Sequence, residues 1–574
     1  MMRGRIVAFL FGAAGALWFA SAVGLSAATP DERRLPPVIL ISIDTLRADH
    51  VGAYGYRRIA TPNIDSFAQG GTLFANIACQ TPLTLPSHTS LFTSTYPFEN
   101  GIQENAEPVP PSAVTLAAIL RSRGYKTAAF IGSVFLERQM GLDRGFDTYD
   151  SPFNFEAFSP ISGDMFFGGT GGTPYSVRDR RDGALVVHAA LRWMSANRDQ
   201  PVFVFIHLFD LHTPYSVPEA TAHRKGLSRY DAQLEYEDDL IGKLKGALVQ
   251  SGCWDRSLAI LLSDHGEGLG DHGESSHGYF IYQSTLHVPL IFHWPAGFTG
   301  QPARVQRPAG LIDVAPTVLD FLRVPEPASF EGTSLLGGAA SAVYSESLHT
   351  HDSFGWAPLR SMRLDGYKYI EAPRPELYDL ENDPDERINI AGENPSKART
   401  LHAELAKMLA RYARHTGTQP AEATPQTEKF LASLGYLASG PRARTADAGA
   451  DPKDRLPEYR LYEKAIATVA DRHLGAAVAL LRQVLAQDAT NTLARRDLGA
   501  CYLDLHQYSK ARASFEQVVA SAPDDYPSQF GLGLADKHLG LLDEARAHLE
   551  AACRMAPRAL QCSRELDGLK QRAN

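Results

Sequence analysis

Three short apolar runs, each followed at once by an aspartate, constrain this chain more than any other feature. Val38-Ile39-Leu40-Ile41 leads into Asp44-Thr45-Leu46-Arg47. Val202-Phe203-Val204-Phe205-Ile206 leads into Asp210-Leu211-His212, and Leu258-Ala259-Ile260-Leu261-Leu262 into Asp264-His265-Gly266-Glu267. Runs of this length are too short for a core helix and read as strands buried on both faces. Amphipathic stretches at 113–123, 182–196 and 228–250 fill the gaps with helical spacing. Strands alternating with helices predict a mainly parallel sheet covered by helices on both sides. In such sheets ligands bind beyond the carboxyl ends of the strands. One Asp after one strand reads as a helix cap. Three such ends on one edge, two with a His within two residues, read as a metal site.

A fourth part is Thr81-Pro-Leu-Thr-Leu-Pro-Ser-His-Thr89. Pro86 suits the first turn of a helix, where backbone N–H groups are unpaired and a tetrahedral oxyanion is stabilised. Locally, an N-cap role explains Thr84 equally well.

Length then asks for more than one core, because 574 residues exceed an ordinary single domain. Residues 415–455 are rich in Thr, Pro, Ala and Gly, with one apolar patch at 430–437, and read as a linker. Beyond it, residues 456–557 repeat every 34 positions: Ala477, Ala511 and Ala545; Leu498 and Leu532; Gly499 and Gly533; Pro523 and Pro557. Small residues where helices cross and Pro where a unit ends are what stacked helical hairpins require, so three tetratricopeptide (TPR) repeats are expected within 456–574. Their concave face would take a peptide or protein.

At the other end, Arg3 and Arg5 precede an uncharged run from Ile6 that closes on Ser26-Ala27-Ala28. This is the layout of a secretory signal at 1–28. The run also reaches the roughly 20 residues a bilayer-spanning helix needs, so a retained membrane anchor stays open. Either way an exported protein is expected, periplasmic or secreted. Five cysteines make neither a disulfide framework nor a structural zinc spacing. Two or three read as buried hydrophobes, with a Cys553–Cys562 bridge left open. The net charge of −9 argues against a nucleic-acid groove, yet decides nothing about small anions.

Several collinear motifs between about Pro37 and Ala391 resemble the sulfatase family of the alkaline phosphatase superfamily. They are Asp44-Thr-Leu-Arg-Ala-Asp-His-Val-Gly-Ala-Tyr-Gly, Thr61-Pro-Asn-Ile-Asp, Leu83-Thr-Leu-Pro-Ser-His, Ser263-Asp-His-Gly-Glu, Val288-Pro-Leu-Ile, Asp313-Val-Ala-Pro-Thr and Glu376-Leu-Tyr-Asp-Leu-Glu-Asn-Asp-Pro. The resemblance implies an α/β sandwich over 35–414, with a large mixed sheet and a smaller antiparallel one, plus the all-α repeat domain. It implies a metal-dependent hydrolase of small anionic esters. Asp44, Asp264 and His265 fall on metal ligands. Thr84 falls on the nucleophile, touching the same metal. His212 falls on a substrate-oxygen or leaving-group contact, His277 near a position often held by Lys, and Asn105 resembles an active-site amide of related phosphonate and phosphate hydrolases.

One departure redirects the chemistry. Many sulfatases carry Cys or Ser in a Cys/Ser-x-Pro-x-Arg motif and oxidise it to formylglycine; here the positions read Thr84-Leu-Pro-Ser-His88. Threonine carries a methyl on Cβ and cannot give that aldehyde, so an unmodified Thr84 must form a covalent ester that water clears. Phosphate and phosphonate esters therefore stand beside sulfate esters. The imidazole of His265 favours Mn²⁺ or Zn²⁺, with Ca²⁺ or Mg²⁺ open. Asp210, His212 and His277 are candidates for a second metal. His212 or His277, at an ordinary pKa of about 6.5, would protonate the leaving group. Two rivals remain: a membrane-tethered headgroup phosphotransferase using the same threonine, and a non-catalytic TPR adaptor with a decayed catalytic domain.

Overall fold

The computed structural model describes residues 35–105, 107–153, 180–217, 219–337, 342–412, 449–555 and 560–572. The expected leader at 1–28 and most of the linker lie outside the described residues. Nine strands form the large sheet: β1 (Val38–Ile43), β2 (Thr72–Ala78), β3 (Lys126–Phe130), β4 (Thr148–Asp150), β5 (Val202–Leu208), β6 (Leu258–Leu262), β7 (His287–His293), β8 (Arg304–Val305) and β9 (Ala309–Gly310). Their order is β4-β3-β5-β1-β6-β7-β2-β8, with β9 also on β2. β1 pairs in parallel with both β5 and β6, and β7 runs against both its neighbours, so the sheet is mixed. Each expected apolar run is a strand, and the three form the centre.

The pleat sorts their side chains. Ile39, Ile41 and Ile43, Val204, Ile206 and Leu208, and Ala259 and Leu261 join one apolar core with Leu234, Ile241 and Leu244 of the helix Arg229–Gln250. Burying each large aliphatic side chain contributes about 1.5–3 kcal/mol. Alternation turns the intervening residues to the opposite face, where Phe92 packs edge-on against Phe203 and Phe205. Phe92 belongs to the helix Thr84–Thr93, all ten residues of which are buried. Its Thr89 and Thr93 hydroxyls donate to carbonyls four residues back, the outlet open to a hydroxyl enclosed by protein. A second, antiparallel sheet orders β10 (Val343–Ser347), β11 (Leu359–Leu364), β12 (Tyr367–Glu371) and β13 (Glu376–Asp379), with the helix Pro395–Tyr412 packed on it.

The repeat module comprises the helices Pro452–Ala470, Leu474–Gln487, Thr492–Asp504, Tyr508–Ser521, Tyr526–Leu539, Leu542–Met555 and Leu560–Arg572. The first begins four residues before the expected boundary at 456, with Asp451 accepting from Lys453 N as its cap. Ala477, Ala511 and Ala545 are fully buried at the crossings. A Cβ on Gly533 would come within 2.7 Å of Leu549, and one on Gly499 within 3.0 Å of Phe515, which explains why glycine recurs there. A Cys553–Cys562 disulfide joins the last two helices, while Cys79 and Cys501 are buried and free. Among the described residues no helix is long and apolar enough to cross a membrane.

Candidate active site

Because β5, β1 and β6 are adjacent and parallel, their carboxyl ends meet at one edge. The pleat then places Asp44, His207 and Asp264 on the face that carries the helix Thr84–Thr93. Ser42 of β1 stands in register with His207 of β5, and Asp44 N donates to Leu208 O at 2.9 Å. The helix start is tied to this edge by Ser87 Oγ, which donates to Asp264 O at 2.7 Å.

Thr84 occupies the first position of that helix, after Leu83, and its side chain does not cap. Its hydroxyl instead faces the strand ends, Oγ1 lying 3.3 Å from Asp44 Oδ2 and 3.4 Å from His265 Nε2. His265 Nε2 lies 3.5 Å from Asp264 Oδ2 and 3.9 Å from Asp44 Oδ1. These four residues are at most 1% exposed. Sequence reasoning expected this quartet, and the fold brings it together.

Its electrostatics could hold a cation. Asp44 Oδ1 and Asp264 Oδ2 are buried without a hydrogen-bond partner, a state that ordinarily costs several kcal/mol per ion. Burial pushes the Asp44 carboxyl up to about 6, and burial plus the neighbouring Asp44 raises Asp264. His265 Nδ1 faces Gly266 O at 3.0 Å. A carbonyl only accepts, so Nδ1 carries a proton there and Nε2 is the ring atom turned toward the two carboxylates. One atom from each of Asp44, Asp264 and His265 fits within the 4.8 Å spread of a single ion's ligands.

His88, His207 and Asp264 form a second grouping of that size. It fits an ion less well. His88 Nδ1 donates to Thr84 O at 2.7 Å and Nε2 meets Ser42 Oγ at 3.0 Å, so both ring nitrogens are engaged. His207 Nε2 lies 3.3 Å from Asp44 Oδ2. These two histidines brace the site from below: His88 ties the Thr84 carbonyl to β1, and His207 supports Asp44. Sequence reasoning gave neither this role. The available signal was Phe203-x-Phe205-x-His207, where the face of β5 that packs on the helix ends in an imidazole instead of an aromatic.

The other expected residues divide. Asn105 is buried beside the helix start, and its Oδ1 accepts from Leu85 N at 2.9 Å. Pro86 has no N–H, so the first turn offers an anion fewer donors than an uncapped helix would. His212 and His277 do reach the site, their rings 5.1 Å apart and His277 lying 4.4 Å from His265. His277 Nδ1 meets Glu267 Oε1 at 3.2 Å, and His212 Nδ1 donates to Thr213 O at 2.6 Å. Burial pushes His277 down to about 4 and His212 well below the usual range, so neither keeps the ordinary value expected of it. Glu267, quoted in the motif but given no role, is buried against His277, and burial raises its carboxyl to about 8.

The residues expected of a second metal are not gathered in the same way. Asp210 Oδ2 accepts from Gly183 N at 2.8 Å, the first N–H of the helix Gly183–Ala196 that Asp182 caps, and it faces Asp182 and Glu237. Asp210, His212 and His277 are not among the ion-sized groupings of the described residues. The strand ends at Leu208, so the one-residue spacing of an extended segment no longer aligns Asp210 with His212.

Comparisons with known proteins agree with this anatomy. Residues 36–324 match the Sulfatase family model, 270–415 match N-sulphoglucosamine sulphohydrolase, C-terminal, and 469–532 match a tetratricopeptide repeat. The delta 4,5-hexuronate-2-O-sulfatase of Bacteroides thetaiotaomicron is 25% identical over 446 residues, covering 68% of this chain and 91% of that protein. Arylsulfatase K of Homo sapiens is 23% identical over 447 residues, covering 66% and 82%. The phosphonate monoester hydrolase of Agrobacterium radiobacter superposes with a TM-score of 0.54 at 22% identity, over 66% of this chain and 96% of its own, and shares the fold. With half of its length matched by the family model and the ester-hydrolase fold in place, the chain belongs to the sulfatase family and carries TPR repeats at its C-terminal end.

Proposed function

We propose that this sulfatase-family hydrolase cleaves phosphate, phosphonate or sulfate esters with an unmodified Thr84 as nucleophile and a divalent metal held by Asp44, Asp264 and His265. The observation that carries the reading is the position of Thr84 Oγ1. It is buried, directed away from its own helix, and within 3.4 Å of groups from two different strand ends. A cation there would supply Lewis acidity, lowering a hydroxyl's pKa as metals lower that of bound water to about 7, and would neutralise the ester's charge. The imidazole among the donors favours Mn²⁺ or Zn²⁺ over Ca²⁺ or Mg²⁺.

Thr84 Oγ1 passes its proton to Asp44 Oδ2, its acceptor at 3.3 Å, and attacks phosphorus or sulfur in line as the bond to the leaving oxygen breaks. The leaving oxygen takes its proton through His277 from Glu267, whose carboxyl burial keeps protonated, with His212 beside them against the substrate oxygens. Water then attacks the Thr84 ester from the same side as the departed alcohol. The bond to Oγ breaks, Thr84 regains its proton, and the site is reset. His88 and Asn105 hold the carbonyl and the first N–H of the Thr84 turn, so the nucleophile does not swing. A decayed adaptor would have no reason to keep Asp44, Thr84, Asp264 and His265 gathered. Export rests on the N-terminal Arg and apolar segment, and a peptide partner on the repeats.

The test is a panel of phosphate diesters, phosphonate monoesters and sulfate esters assayed with Mn²⁺, Zn²⁺, Mg²⁺ or Ca²⁺. Turnover that depends on metal and vanishes in Thr84→Ala is expected. Full activity in that variant ends the proposal.

A further inference from the structure

The repeat module does not hang from the catalytic module; its first helix is packed on the loop that carries His277. This loop, Asp271–Tyr279, is braced from inside by Gly268 N donating to Ser276 O, Gly270 N to Glu274 O, and Glu274 accepting from Tyr279 N. On its outer side lies the helix Pro452–Ala470. Arg460 Nε donates to Gly273 O at 2.8 Å, and Ser275 Oγ donates to Glu463 Oε2 at 3.0 Å. Tyr279 OH donates to Pro452 O at 2.5 Å, and its ring sits 4.1 Å from that of Tyr459. A Cβ on Gly273 would fall within 2.5 Å of Arg460 and Leu456, so loop and helix are in full contact. The approach is anchored at its root, where Ala357 N donates to Ala450 O and Arg374 N to Asp451 Oδ2. One layer of chain thus separates a TPR helix from an imidazole that itself lies 4.4 Å from His265.

We propose that Tyr459 and Arg460 of the first TPR helix are positioning residues for His277, making this helix the outer wall of the active site. The inference rests on the role given above to His277. The loop is also held by Arg47 on Asp271 at 2.8 Å, by His272 Nε2 against Asp385 O at 3.0 Å, by Ser347 on Gly278 O, and by His277 itself on Glu267, so the helix completes its outer side alone. Without the helix, Gly273, Ser275 and the Tyr279 ring all lose contacts, and the chain between them carries His277. A misplacement of about 1 Å at a reacting group costs up to roughly 10²-fold in rate.

The experiment is a double-mutant cycle in the full-length enzyme, pairing Arg460→Ala and Tyr459→Ala each with His277→Ala. In the wild-type background each substitution should lower kcat by about tenfold or more with little change in KM. Neither should lower it further once His277 is gone. Arg460→Lys and Tyr459→Phe should restore most of the loss. An unchanged kcat, or an equal loss in the His277→Ala background, overturns the proposal. Hydrogen exchange of residues 268–280 separates the two readings. If the protein turns over none of the esters, exchange that rises there and nowhere else in Arg460→Ala still supports the wall. Unaltered exchange contradicts it.

Discussion

At the edge of the large sheet, Asp44 Oδ1 and Asp264 Oδ2 are buried with no hydrogen-bond partner. In the repeat module Asp497 is enclosed too, but it accepts from Tyr462 OH at 2.7 Å and stands 3.6 Å from Arg496 Nε, whose own Nη1 lies 3.8 Å from Asp525. A buried charge paired with a cation holds elements together, whereas neighbouring carboxylates that each keep one oxygen unpartnered raise one another's energy. The contrast separates an acidic group that stabilises a stack from one that the proposed chemistry would use.

The largest effect expected from this contrast is in Thr84→Ala, which should lose at least about 10³-fold in turnover while its melting temperature stays at the wild-type value. Next, Asp264→Asn should lose bound metal, measured by elemental analysis, and with it most activity. In metal-free protein the same substitution should leave the melting temperature unchanged or raised, because it removes a buried charge beside Asp44. A clear fall would break the comparison. Asp497→Ala should do the opposite. It takes one of two carboxylates from Arg496 and the acceptor from Tyr462, and urea unfolding of the repeat module should show a loss of about 3–5 kcal/mol. Smallest is Gly533→Ala, where the added methyl meets Leu549 and overpacking should cost about 1–3 kcal/mol, read from the same transition.

Much of this was legible in sequence, for identifiable reasons. A strand buried on both faces writes a continuous apolar run, so β1, β5 and β6 could be read directly, and the carboxyl-end rule led from them to Asp44 and Asp264. Close helix crossings demand small side chains, so the 34-residue period was open to view in Ala477, Ala511 and Ala545. His207 was hidden because one imidazole at the end of an aromatic run changes no periodicity. The Asp210 partner was hidden too, because a strand-end carboxylate can face an ion or a helix start, and its bond to Gly183 N leaves no mark in the sequence. The docking of Tyr459 and Arg460 on the His277 loop left no local pattern. It joins segments far apart in the chain, and its side chains are those of any half-exposed helix.

The most direct test of the account is where a metal binds. Crystals of the full-length protein soaked in Mn²⁺ should give an anomalous difference peak enclosed by Asp44, Asp264 and His265, in contact with Thr84 Oγ1. A peak between His88, His207 and Asp264 instead, or none at either grouping, would contradict it.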